Sequence, residues 1–119
     1  MFSFALSRSV VTSYDGTPLG VQTVTSANTP PDAPVLLLAN GLGATVTAYR
    51  YLLTRFSRTF RFVSWDYRGL YASGRPVGGY DSLDVACHAK DALAVLEALV
   101  ADLHLVPHFR SEHTIACGR

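Results

Sequence analysis

A chain of 119 residues with a hydrophobic fraction of 49% and a mean hydropathy of +0.21 is too apolar for disorder and long enough for one small domain. Ten basic residues against nine acidic ones leave a net charge of +1, which offers nothing to nucleic acid or an anionic membrane. Unbroken apolar runs such as Val35 to Ala39 fall far short of a bilayer span.

The N-terminus, Met1-Phe2-Ser3-Phe4, lacks the basic segment and long apolar core of a signal peptide. Cys87 and Cys117 make no disulfide framework, so a reducing, cytoplasmic setting is the default. Ala5 to Ser13 reads as a strand, followed by Asp15-Gly16, a strong hairpin signal. Pro18 to Thr25 alternates, with Leu19, Val21, Thr23 and Thr25 on one face, and completes an antiparallel hairpin. Ser26 to Pro34 is rich in turn-forming residues and forms a surface loop.

Val35 to Ala39 has no polar alternation, the pattern of a parallel strand covered on both faces. Asn40-Gly41-Leu42-Gly43 is the turn at its end, and Ala44 to Phe56 reads as a helix with apolar residues at three- and four-residue steps. In that helix Tyr49, Tyr51 and Phe56 are expected to pack in or around the core. Phe60 to Trp65 is the second parallel strand, and Asp66 to Gly79 a long glycine-rich loop. Ser82 to Leu103 is the best helix, capped by Asp81 or Ser82, with Ala86, Ala89, Leu93, Leu96, Val100 and Leu103 as its apolar stripe. Cys87 and His88 on it carry no assigned role. Beyond Val106 the chain is polar and unpatterned, and only Thr114 to Cys117 is fit to pair as a strand. The class is α/β: an N-terminal hairpin, then βαβα with parallel strands.

Three segments in order carry a resemblance. Asn40-Gly41-Leu42-Gly43 follows the buried strand, Asp66-Tyr67-Arg68-Gly69 follows the next, and Tyr80-Asp81-Ser82-Leu83 opens the last helix. Together they resemble the N-terminal portion of the α/β-hydrolase superfamily, over roughly residues 11–105. The resemblance implies an oxyanion-hole turn. The backbone N–H of Leu42 is the expected donor, and Gly41 and Gly43 allow the close fold that aims it. Asp66, Arg68 and Gly69 are expected to hold the following loop in place. A complete relative would hydrolyse a small molecule such as an ester or lactone, without cofactor or metal.

The departure is as specific. Gly-x-Ser-x-Gly occurs nowhere in these residues, and the position expected for the nucleophile turn holds Leu105 to Arg110, interrupted by Pro107. The expectation is a partial hydrolase domain over 1–105 with an atypical tail over 106–119, incompetent for hydrolysis. Without the nucleophile strand, Val35 to Ala39 is expected to be an open edge that invites self-association and lowers stability. The alternative is a non-catalytic small-molecule or dinucleotide module. Gly41-x-Gly43 followed by Asp66 suits a dinucleotide, but Val46 stands where the third glycine belongs. His104, His108, His113 and Cys117 match no zinc spacing.

Overall fold

In a computed structural model that describes residues 4–40, 44–101 and 114–118, the hairpin pairs β1 (Phe4–Thr12) with β2 (Pro18–Ser26), Phe4 opposite Ser26 and Thr12 opposite Pro18. Gly16 supplies the positive φ of the turn, +92°, and Asp15 Oδ1 accepts the Thr17 N–H at 3.1 Å. β2 then pairs antiparallel with β4 (Arg61–Trp65), Val21 opposite Trp65.

β3 (Val35–Ala39) lies beside β4 in parallel, Leu37 opposite Val63. Its side chains are buried up to the half-buried Ala39, because both faces are covered. On one face Val35 and Leu37 pack with Leu19, Val21, Val63 and Trp65 against Val95 and Leu99 of α2 (Val85–Ala101). On the other, Leu36 and Leu38 pack with Val24 and Phe62 against Val46 and Leu53, the latter in α1 (Arg50–Phe56). The hydrophobic faces of one sheet are thus closed by one helix each.

Three expectations need correction. The helix foreseen from Ala44 starts later: Val46–Tyr49 is a 3₁₀ turn, and α-helical geometry begins only at Arg50. The β-branched run Thr45-Val46-Thr47 disfavours a regular first turn, and the two threonine hydroxyls bond each other at 2.8 Å instead of capping it.

The second correction concerns α2, which begins at Val85 with Asp84 as its cap: Asp84 Oδ1 accepts the Cys87 N–H at 2.8 Å. Gly79–Ser82 is a separate 3₁₀ turn closed by Ser82 Oγ on the Gly79 carbonyl. The buried stripe is Asp91, Val95 and Leu99, while Leu93 and Val100 are half exposed. The true face is rotated from the expected one because a buried charge sits within it.

The third is that β3 is not an open edge. β5 (Thr114–Gly118) pairs with it in parallel, Val35 opposite Thr114 and Ala39 opposite Gly118. The sheet order is β1-β2-β4-β3-β5. The place beside β3, expected to be vacant because Pro107 interrupts residues 105–110, is taken by residues further along the chain. No helix among the described residues is long and apolar enough to cross a membrane.

Candidate functional site

Parallel strands end together, so the residues following β3 and β4 meet at one rim of the sheet. Asn40, the first residue after β3, is buried there. Its Nδ2 donates to the Trp65 carbonyl at 3.0 Å, and its Oδ1 accepts from Ser64 Oγ at 3.0 Å. Two tyrosines hold the backbone on either side of it. Tyr49 donates to the Ala39 carbonyl at 2.6 Å, and Tyr67 donates to the carbonyl of Asn40 itself. Burial raises the Tyr67 pKa above its ordinary 10, so the hydroxyl keeps its proton and remains a donor. A peptide unit is planar, so a clamp on its carbonyl orients the whole unit.

The Tyr67 ring leans on Trp65 (5.7 Å between centroids) and His88 (4.7 Å). Tyr67 and His88 line an open cleft of about 720 Å³ between the loop after β4 and the start of α2, bounded also by Leu70, Arg75, Pro76 and Leu83.

Arg68 is a buried anchor. Its Nε and Nη2 donate to Asp91 at 2.8 and 2.7 Å, a bidentate pair, and its Nη1 donates to Asp15 at 2.8 Å. Ser13 Oγ adds a 2.5 Å bond to Asp91. The hydrogen bond from Arg68 is the main cause that holds the Asp15 carboxyl at about 2, below its ordinary 3.8. In return, first Asp91 and then Asp15 push the Arg68 pKa further up, fixing its charge. The network ties hairpin turn, β4 loop and α2 together.

Asp66 is also buried. Its Oδ2 accepts from Gln22 Nε2 at 3.2 Å and from the Ala72 N–H at 3.1 Å. A carboxylate turned into its own loop is poorly placed for a ribose. Gly69 has φ +80° and donates its N–H to the Gly74 carbonyl, closing the turn. The loop lies tight against β2: Ser73 Oγ accepts the Gly20 N–H at 2.9 Å, and a Cβ on Gly20 would stand 2.6 Å from that of Ala72.

Gly41, Leu42 and Gly43 lie outside the described residues, as do His104, His108 and His113. Sequence reasoning missed Tyr49 and Tyr67 as clamps, Asp15 and Asp91 as partners of Arg68, and Ser13 as a donor to Asp91. None of these gave a signal in the pattern, since α2 carries Lys90 and Glu97 as well as Asp91.

The fold recurs in solved structures. A hydrolase from Pseudomonas aeruginosa superposes with a TM-score of 0.64 at 31% identity, over 79% of this chain and 33% of its own. An epoxide hydrolase from Vigna radiata does so with 0.65 at 21% identity, over 80% and 29%. The chain has the fold of the N-terminal part of an α/β-hydrolase. A structure of epoxide hydrolases of this superfamily from hot-environment metagenomes gives a TM-score of 0.64 at 26% identity, over 82% of this chain and 30% of that one. The chain therefore spans about a third or less of these α/β-hydrolases. No family model and no curated protein matches the sequence.

Proposed function

We propose that this chain contributes the oxyanion-stabilising side of an α/β-hydrolase acting on a small electrophile, an ester, lactone or epoxide. The supporting observation is the fixation of Asn40. A buried side chain with both amide atoms bonded, and carbonyls 39 and 40 each held by a tyrosine, presets the root of the glycine turn. Preorganisation of that kind is what a donor to a developing oxyanion requires. In this reading Leu42 offers its backbone N–H, and Gly41 and Gly43 let the turn close.

The end of β5 lies across from Ala39, the last residue of β3. In the superfamily the strand beside β3 leads into the nucleophile turn. Solved epoxide hydrolases of the same fold extend the electrophile class beyond esters. No Gly-x-Ser-x-Gly occurs in these residues. Loss of a nucleophile costs about six orders of magnitude in rate, and one oxyanion donor returns only about two to three. On its own, this polypeptide is hydrolytically inert.

Two measurements test this. Purified chain is expected to turn over p-nitrophenyl acetate and styrene oxide no faster than a heat-killed control. Turnover that vanishes on Ser73→Ala would overturn the inert reading. Replacing the matching N-terminal segment of the Pseudomonas hydrolase with this chain is expected to give an active chimera that Asn40→Ala impairs. A folded but inactive chimera would sink the oxyanion assignment.

A further inference from the structure

The cleft beside Tyr67 is not explained by the oxyanion reading, which uses only the hydroxyl of that residue. Tyr67 and His88, their ring centroids 4.7 Å apart, both line an open space of about 720 Å³. That is within the roughly 300–1,000 Å³ range of small-molecule sites. Leu70, Pro76 and Leu83 add apolar wall, so most of the lining favours a flat, hydrophobic body.

The charges are asymmetric. Two arginines line the cleft, and only one has charge to spare. Arg68 is saturated by Asp15 and Asp91. Arg75 is exposed and forms no ion pair or hydrogen bond with any described residue. The nearby acids Asp81 and Asp84 do not line the cleft, so no carboxylate within it neutralises Arg75. His88 Nδ1 is buried without a partner and keeps further donor or acceptor capacity at the aromatic end.

An apolar slot with stacked rings at one end and one unpaired guanidinium suits a planar hydrocarbon carrying a single anionic group. Arginine holds a carboxylate through parallel N–H donors, while the ring faces accept an aromatic body. We infer that this cleft is a binding site for an aromatic carboxylate, with Arg75 as the anion contact and the Tyr67–His88 pair as the stacking surface. Tyr67 is shared with the clamp on Asn40 through its hydroxyl alone, and the cleft reading makes no use of the glycine turn.

Calorimetric titration of the 119-residue chain with 2-naphthoate, and with 2-naphthylmethanol as the uncharged body of the same shape, tests it. The expected result is saturable binding of one naphthoate per chain, tighter than the alcohol. Arg75→Gln is expected to weaken naphthoate about tenfold and leave the alcohol unchanged, the loss of one charge-assisted contact at a solvated rim. His88→Ala is expected to weaken both. Raising the salt concentration on the unmodified chain is expected to weaken naphthoate alone, a check that needs no variant to fold. Absence of saturable naphthoate binding to folded chain overturns the inference. So does equal affinity for the alcohol, or an Arg75→Gln variant with native circular dichroism and unchanged affinity.

Discussion

At the scale of single residues, polar side chains rather than apolar ones set the geometry of the strand rim. Arg68 joins three elements through Asp15 and Asp91, and removing Asp91 takes away its fully buried bidentate partner and leaves only the less buried Asp15 to balance it. Asp91→Ala is expected to destabilise the chain by about 3–5 kcal/mol in urea unfolding, with the midpoint shifted and the slope unchanged. Asp15 makes the same network sensitive to acid. Its folded pKa of about 2 lies below the ordinary 3.8, so the unfolded chain binds the proton more readily. The stabilisation is complete above about pH 4 and drains away as the pH falls through about 2, a loss of about 1–2 kcal/mol for a partly solvated carboxylate. Thermal unfolding across that range, with Asp15→Asn losing this part of the pH response, measures it. Tyr67→Phe leaves the buried Asn40 carbonyl without its tyrosine donor and is expected to cost about 1–3 kcal/mol in the same unfolding experiment. Little of this was legible beforehand. Hydroxyls that reach a backbone carbonyl leave no periodic trace, and Asp15 reads from sequence only as a turn residue.

Elements were far more legible, because burial writes itself into spacing. The unbroken apolar Val35 to Ala39 and the Asp15-Gly16 turn were found where the pattern placed them, since a strand covered on two faces and a tight hairpin tolerate few other sequences. Helix α2 was found but turned wrongly about its axis. Its apolar residues are plentiful on more than one face, and the deciding position, Asp91, is charged. Asp91 belongs to the core only because Arg68 waits there, which no local rule reveals. The corrected face has a direct test. Val95→Ala and Leu99→Ala are expected to cost about 2–5 kcal/mol each, whereas Leu93→Lys and Val100→Lys stay within about 0.5 kcal/mol. Equal costs for both pairs, read as urea midpoints, would restore the original stripe.

For the whole molecule, the decisive addition is β5. A parallel sheet leaves edge groups unsatisfied unless another strand arrives, and here the residues that arrive lie far along the chain from β3. The strand potential of Thr114 to Cys117 was visible, but its partner was not, because parallel pairing leaves no short-range signal. Chain ending at Ala101 is expected to expose the β3 edge and self-associate. Light scattering against concentration, compared with the 119-residue chain, measures this; a truncated form that stays monomeric at every concentration would show that β3 needs no cover.

The pairing of Val35 with Thr114 also has a temporal side. During synthesis the strand most prone to stick is finished early, and its neighbour emerges from the ribosome among the later residues. Throughout that interval the backbone of β3 offers free donors and acceptors to whatever is nearby, and long-range parallel pairing closes slowly. Production of intact protein in a cell is therefore governed by the lifetime of an unfinished sheet. A cell that shields nascent chains, or grows cooler and more slowly, should recover more of this molecule in the supernatant than its equilibrium stability alone would suggest.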